Sequence, residues 1–296
     1  MLFKQLKQKI DHILENTKTN LDLIKQQDIQ SKQMYSKIIE SIENLSNNII
    51  DLQNNYNYIT TKLTNLENTT QEYNKELINI REKLYRLDWE PNQNIKQRLQ
   101  NIASMETAEF IIKNMNSVPA LNVTLNILDL AFSKCTIEGL IIEFGVYSGR
   151  TVNHIANLTN ETVYGFDSFE GLPEDWRSGF EKGTFKTNCL PNVNKNVQLI
   201  KGLFNDTLPI FLNEHKEICS LIHIDCDLYS STKCIFDNLK DKIVSGTIIV
   251  FDEYFNYPGW QEGEYKAFYE FINETNLKFE YIGYVEISEQ VAVKIL

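Results

Sequence analysis

The sequence predicts an α/β domain with a largely parallel sheet, preceded by a long α-helical coiled coil. Residues 1–88 contain neither Gly nor Pro, and their apolar side chains recur at heptad spacing. From residue 139 onward, short apolar runs alternate with amphipathic stretches, which is the pattern of βα units whose strands are buried on both faces. A chain of 296 residues accommodates both units.

The heptad pattern is unbroken from Ile38 to Leu87, with Thr70 as its only polar member. A strict 3.5-residue period winds helices into a left-handed supercoil. A weaker register extends back to Ile10, so we expect one continuous helix ended by Pro91, roughly 120 Å long at about 1.5 Å per residue. The alternative is a long amphipathic helix folded back on its own domain.

We favour self-association, because seven heptads exceed what one face of a domain needs. The strand number stays open. Ile42 and Ile49 at heptad position a, followed by Leu at position d, favour a parallel dimer, whereas Leu63, Leu77 and Leu84 at position a favour more strands. The chain is therefore expected to be a homo-oligomer through residues 1–90.

The remaining chain divides into a helical linker or cover over residues 91–138 and the α/β domain over residues 139–296. The strands are predicted at 139–145, 162–166, 197–201, 220–225, 247–251, 278–285 and 290–296, with helices at 150–158, 206–217, 230–242 and 262–275. Only Glu286–Glu289 separates the last two strands. That length requires a hairpin, so one strand at the end of the chain is antiparallel.

Charge and cysteine usage exclude several classes of protein. The net charge of −11 arises entirely beyond residue 88, and an acidic domain lacks the clustered Lys and Arg that nucleic-acid binding needs. Five cysteines without a C-x-x-C pair are typical of reduced thiols in a cytoplasmic protein. No apolar run approaches about 18 residues, so we expect no membrane span. The N-terminus shows no signal-peptide pattern.

The loop Glu143-Phe-Gly145-Val-Tyr-Ser-Gly149 follows the first predicted strand of the domain. It lacks both the G-x-G-x-x-G of dinucleotide sites and the Gly-Lys-Ser/Thr of a P-loop. Ligands of open α/β sheets bind beyond the carboxyl ends of the strands. Asp167, 22 residues after Gly145 at the next strand end, can accept hydrogen bonds from both hydroxyls of a ribose. We predict a nucleoside cofactor without phosphates; the alternative is that the glycines only form a strand-to-helix turn.

Four acidic residues follow two neighbouring predicted strands: Asp225 and Asp227 after one, Asp252 and Glu253 after the next. Carboxylates this close repel one another unless a cation neutralises them. An oxygen-rich set favours Mg²⁺, then Mn²⁺ or Ca²⁺. The alternatives are a helix cap for Asp227 and solvated loop acids for the others. His223 is interpreted as a satisfied strand histidine, with a catalytic role as the alternative.

Five segments in order resemble the motifs of the macrocin O-methyltransferase (TylF-like) family: Glu143–Gly149, Tyr164–Pro173, Lys201–Pro209, Ile224–Thr232 and Phe251–Tyr254. The resemblance covers about residues 100–296 and leaves the coiled coil outside. It implies a class I methyltransferase fold, a Rossmann-like seven-strand sheet of order 3-2-1-4-5-7-6 with strand 7 antiparallel. It also implies transfer of a methyl group from S-adenosylmethionine to a sugar hydroxyl, with Mg²⁺.

The resemblance also implies roles for single residues. Glu143, Gly145 and Ser148 would contact the methionine end of the cofactor, and Asp167 would hold its ribose. The metal ligands would be Asp225, Asp252 and Glu253, although some relatives carry Asp where this chain has Glu253. Asp227 would be the general base. Segment 168–195, with Trp176, Phe180 and Phe185, would form a mobile lid over the sugar.

The sequence therefore predicts a Mg²⁺-dependent O-methyltransferase acting on a carbohydrate acceptor, whether a glycoside, a nucleotide sugar or a polysaccharide. One alternative is a metal-dependent methyltransferase for another vicinal diol, such as a catechol. The other is a coiled-coil scaffold whose appended domain binds the cofactor without turnover.

Overall fold

A computed structural model of the chain describes residues 2–24 and 29–296. The chain divides into two compact units, Met1–Glu90 and Pro91–Leu296. None of the helices in these described ranges combines the length and apolar character that a membrane crossing requires.

The first unit consists of two helices, α1 (Leu2–Ile24) and α2 (Ile29–Gln93). They are antiparallel: the Phe3 ring centroid lies 6.4 Å from that of Tyr56, and Lys18 Nζ lies 3.3 Å from Glu43 Oε1. In a continuous helix, Phe3 and Tyr56 would be about 80 Å apart at about 1.5 Å per residue. The predicted continuous helix is therefore wrong, although residues 25–28 of it lie outside the described residues.

The physical reason is that α1 has its own apolar face and buries it within the same chain. Ile10 of α1 and Ile49 of α2 are 8% and 6% exposed. The predicted end of the long helix is also wrong, because α2 continues two residues past Pro91 to Gln93. Asn94 then caps the next helix by accepting a hydrogen bond from the backbone N–H of Gln97 at 3.2 Å.

The second unit alternates strands and helices. Its helices are α3 (Ile95–Asn114), α4 (Thr124–Lys134), α5 (Arg150–Leu158), α6 (Phe204–Glu214), α7 (Tyr229–Leu239) and α8 (Glu264–Thr275), with a 3₁₀ turn at Trp260–Glu262. Its strands are β1 (Ala120–Leu121), β2 (Leu140–Phe144), β3 (Val163–Asp167), β4 (Val197–Lys201), β5 (Cys219–Ile224), β6 (Ile248–Phe251), β7 (Phe279–Val285) and β8 (Val291–Ile295).

All eight strands form one sheet in the order β1-β7-β8-β6-β5-β2-β3-β4. Strand β8 is antiparallel to both of its neighbours, and the other pairings are parallel. The predicted α/β class is confirmed. Strand β1 is an addition to the seven predicted strands: it interrupts the stretch expected to be helical and pairs with β7 at the sheet edge.

The sheet is covered on both faces. Apolar side chains of α4 and α5 pack in one core cluster, and those of α3, α6, α7 and α8 pack in the other. Every residue of the adjacent strands β2, β5 and β6 is buried, which matches their mostly apolar sequence. The carboxyl ends of these three parallel strands meet at one edge, where the loops of the site begin.

Candidate active site

The loop after β2 lies directly against the end of β5. Gly145 has φ +93°, and a Cβ at this position would lie 1.6 Å from the carbonyl oxygen of Asp225. Only glycine fits that approach. The loop that was predicted to receive the cofactor is thereby packed against the backbone of the predicted metal-binding segment.

Asp167, at the end of β3, holds the same loop from the other side. Its Oδ2 accepts the backbone N–H groups of Val146 at 2.9 Å and Tyr147 at 2.8 Å, and its Oδ1 accepts that of Phe169 at 2.7 Å. A carboxylate has about four acceptor positions. Asp167 thus fixes the loop and retains capacity for a further donor.

Glu143, predicted to contact the cofactor, is completely buried beneath the loop. Its Oε2 lies 3.0 Å from His223 Nδ1, and its Oε1 accepts from Thr151 Oγ1 at 3.1 Å. Burial raises the pKa of Glu143, and the hydrogen bond and positive charge of His223 oppose that effect. Burial lowers the pKa of His223, but Glu143 outweighs it and the net shift is upward. The hydrogen bond from Thr151 to Glu143 was not predicted from the sequence.

The four carboxylates predicted after the two strands are brought together at the ends of β5 and β6, whose last residues Ile224 and Phe251 are paired. One atom each of His223, Asp225 and Asp252 lie within 4.8 Å of one another. Glu253 is outside this group of three, but its Oε2 is buried without a hydrogen-bond partner among the described residues.

Electrostatic repulsion is concentrated in this cluster. Burial, followed by the negative charge of Asp252, raises the pKa of Asp225 and Glu253 well above the usual range of a carboxyl group. The same two causes raise the pKa of Asp227 to about 7, with Arg177 opposing them. Asp227 also has φ +64°, which is uncommon for a residue other than glycine.

A fifth carboxylate, Glu264 at the start of α8, was not found by sequence reasoning. It is fully buried, and its Oε2 accepts the backbone N–H of Glu253 at 3.2 Å. Burial and then Asp252 raise its pKa well above the usual range, whereas backbone hydrogen bonds from Glu253 and Cys226 oppose the shift. Glu264 therefore connects the loops after β5 and β6. Gln290 orients another carboxylate of the cluster, since its Nε2 donates a hydrogen bond to Asp252 Oδ1 at 2.7 Å.

The donor set fits a hard divalent cation. Asp225, Asp252 and Glu253 supply carboxylate oxygens, and the unpartnered Oε2 of Glu253 lacks the hydrogen bond that a buried polar atom normally has. Repulsion among the acids would be relieved by a positive charge. His223 adds a nitrogen donor that the sequence analysis did not include in the metal site.

A cavity of about 510 Å³ opens at this edge of the sheet. Six of the predicted site residues line it: Gly145, Asp167, Asp225, Asp227, Asp252 and Glu253. Glu143 and Ser148 do not; Glu143 lies beneath the loop and Ser148 is exposed on it. One cavity thus joins the predicted cofactor loop to the predicted metal site.

The segment predicted as a lid contributes residues to the cavity wall, and Arg177 attaches it to the rest of the domain. The guanidinium lies 4.0 Å from the Trp176 ring centroid, 5.4 Å from that of Phe180 and 4.7 Å from that of Tyr257. Its Nη1 donates to both carboxylate oxygens of Glu289 at 3.1 Å. Glu289 belongs to the turn between β7 and β8, so this contact connects the lid to the sheet.

Comparison with known proteins finds a family model that resembles the centre of this unit. Residues 142–254 match the family model described as a methyltransferase domain. The matched segment begins in β2 and ends after Glu253, so it contains all the predicted site residues. Two relatives also align with part of this chain.

The first relative is demethyldecarbamoylnovobiocin O-methyltransferase from Streptomyces niveus, 24% identical over 165 residues, or 47% of this chain and 62% of that protein. The second is 8-demethyl-8-(2,3-dimethoxy-α-L-rhamnosyl)-tetracenomycin-C 4′-O-methyltransferase from Streptomyces olivaceus, 28% identical over 144 residues, or 40% of this chain and 54% of that protein. The chain thus spans less than two thirds of either relative. The crystal structure of the calicheamicin methyltransferase CalS11 is 22% identical with a TM-score of 0.48, covering 57% of this chain and 77% of that one.

Proposed function

We propose that this protein is a divalent-cation-dependent class I methyltransferase that transfers a methyl group from S-adenosylmethionine to a sugar hydroxyl. The observation that carries the proposal is the shared cavity, in which Asp225, Asp227, Asp252 and Glu253 face the glycine loop and Asp167. The methyltransferase family match supports the donor. The names of the relatives, one of which specifies a rhamnosyl group, support a carbohydrate acceptor.

The cofactor would bind over the loop after β2. Gly145 allows close approach to the backbone, and Asp167 has acceptor capacity for the ribose hydroxyls. Ser148 is proposed for the methionine end, as the resemblance implies. Glu143 is also proposed for the methionine end of the cofactor. Because His223 and Thr151 already form hydrogen bonds with its carboxylate oxygens, Glu143 would act by holding the loop and by its negative charge near the cationic sulfonium.

The metal would be held by Asp225, Asp252 and Glu253, with Mg²⁺ as the first choice and Mn²⁺ or Ca²⁺ as alternatives. A divalent ion there would orient two vicinal hydroxyls and lower the pKa of the one to be methylated. Gln290 and Glu264 keep two of these ligands in place through a side-chain and a backbone hydrogen bond respectively.

Asp227 is proposed as the general base. It lines the cavity and is 8% exposed, so its carboxylate could accept a proton from an acceptor bound there. S-adenosylmethionine, when bound, would supply the methyl group, and Asp227 would take up the proton of the acceptor hydroxyl. The lid would exclude water from this step.

The test is methyl transfer from labelled S-adenosylmethionine by the full chain, with glycosides, nucleotide sugars and a catechol as acceptors. Transfer to a sugar should disappear with EDTA, return with Mg²⁺, and be lost in Asp225→Asn but retained in Asp241→Asn, an exposed acid outside the site. Transfer to the catechol alone would reject the sugar acceptor. Activity unaffected by EDTA and by Asp225→Asn would reject the metal role.

A further inference from the structure

The α2 helix keeps an apolar row exposed even where α1 lies beside it. The heptad has an a row that includes Ile42 and Ile49 and a d row that includes Ile38, Leu45 and Leu52. Ile49 is only 6% exposed against α1, whereas Ile38, Leu45 and Leu52 are 39%, 53% and 56% exposed. The hairpin with α1 therefore satisfies part of the apolar face and leaves the d row uncovered.

Beyond Tyr56, which lies level with Phe3 near the start of α1, both rows are exposed. The apolar heptad residues of this stretch are 52% to 64% exposed: Ile59, Leu63, Leu66, Tyr73, Leu77, Ile80 and Leu84. An apolar stripe of this length, interrupted only by Thr70, marks an interaction surface. An isolated helix gains little stability without packing of its apolar face, so the stripe needs a partner.

Charged residues beside the stripe indicate which partner it fits. In a parallel, in-register pair, a residue at position g faces position e of the following heptad in the other copy. Lys62 at g would then face the partner's Glu67, and Glu76 at g would face the partner's Arg81. Both pairs are opposite in charge, and each occurs twice by symmetry.

The remaining g–e combinations of this stretch, Asn55 with Thr60 and Thr69 with Asn74, carry no charge, so parallel pairing produces no repulsive contact there. Antiparallel pairing places g against g and e against e, which separates the complementary charges. The pattern thus favours one orientation.

We propose that residues 59–84 of α2 pair in parallel and in register with the same residues of a second copy of this chain. The exposed stripe supplies the apolar interface, and the two charge pairs set the orientation. The proposal concerns the first unit alone and does not depend on methyl transfer.

The first measurement is the mass of the full chain by sedimentation equilibrium, which also counts the strands. The wild type should be an oligomer at micromolar concentration. Leu66→Asp places a charge in the d row and should weaken association at least about tenfold. Asn68→Asp, on the outer face of the same heptad, is the matched control and should associate as the wild type does. Unchanged melting of the second unit would show that the substitutions leave residues 91–296 folded.

The orientation is tested by cross-linking and charge reversal. Leu66→Cys should form a disulfide-linked pair on mild oxidation, whereas Asn68→Cys and the wild type, which has an exposed Cys189, should not. Lys62→Glu and Glu67→Lys should each weaken association, and the double variant should restore it. A monomeric wild type would overturn the proposal. An oligomer in which Leu66→Cys fails to cross-link and charge reversal has no effect would overturn the parallel, in-register arrangement.

Discussion

Removal of the Arg177 guanidinium should open the lid and slow transfer to the acceptor. Arg177 connects the lid to the turn between β7 and β8 through Glu289, and its side chain stacks between Trp176 and Tyr257. In Arg177→Ala all of these contacts are lost together. In Arg177→Lys the charge remains, but the planar group that stacks on the rings is lost.

The expected decrease in kcat/KM follows from the contacts that Arg177 makes. The side chains of Arg177 and Glu289 are 28% and 24% exposed, so the ion pair is partly screened and contributes about 1 kcal/mol. Trp176 belongs to the same segment as Arg177, so of the two rings only Tyr257 adds to the attachment, by roughly 0.5 kcal/mol. A loss of about 1.5 kcal/mol reduces the ratio of closed to open lid roughly tenfold. If acceptor turnover requires the closed lid, kcat/KM should fall by up to about tenfold, with Arg177→Lys in between.

Two assays separate lid opening from other defects. Initial rates with the best acceptor give kcat/KM, and limited trypsin digestion reports access to the bonds after Lys182 and Lys186 within the lid. Lys182→Ala removes an exposed cation from the same segment and should leave the rates unchanged. The lid contact has no functional role if Arg177→Ala retains kcat/KM within twofold and is digested no faster than the wild type.

Three further predictions concern the cluster and the loop. Because burial and Asp252 raise the pKa of Asp227 to about 7, the metal-free folded state holds a proton that the unfolded state releases. In EDTA the melting temperature should therefore fall as pH rises from about 5.5 to 8, and added Mg²⁺ should reverse this decrease. A melting temperature in EDTA that does not change with pH would contradict the prediction. Glu264→Gln keeps a hydrogen-bond acceptor but removes a buried charge, so it should raise the metal-free melting temperature in differential scanning fluorimetry; a decrease would contradict the assigned repulsion. Gly145→Ala forces a Cβ against the Asp225 carbonyl and should abolish S-adenosylhomocysteine binding in calorimetry, whereas Gly179→Ala, with nothing within 4 Å, should bind normally; equal binding by both would refute the close packing.

The fold was predictable where a local pattern determines the structure. Strand β4 lies at the predicted residues 197–201, and the short link after Val285 required the observed hairpin. Strand β1 has only two residues and is too short to show any periodicity. The helical hairpin was missed because a heptad indicates that a face is apolar, not which helix covers it. Ile10 and Ile49 could equally pack against a second chain or, as observed, against the other helix of the same chain.

The site, like the fold, was predictable only where a local sequence pattern determines it. Asp225, Asp227, Asp252 and Glu253 could be grouped because neighbouring parallel strands bring their carboxyl ends together. Glu264 could not, because an acidic residue in the first turn of a helix is ordinarily explained by the helix dipole. Arg177 lies in a segment without periodicity, and its contact with Glu289 spans 112 residues of sequence. Residues that act through tertiary contacts leave no local pattern.

The buried position of Glu264 also bears on how strongly the site would bind a cation. It lies behind the cavity lining, is 0% exposed, and holds the backbone of Glu253. A fifth acidic group there repels Asp225 and is itself repelled by Asp252 and Asp227 in the metal-free protein. In the proposed function a divalent ion removes that repulsion when it binds, so the free energy stored in the cluster becomes binding free energy. Substitutions that relax the cluster should therefore stabilise the metal-free fold and weaken metal binding together.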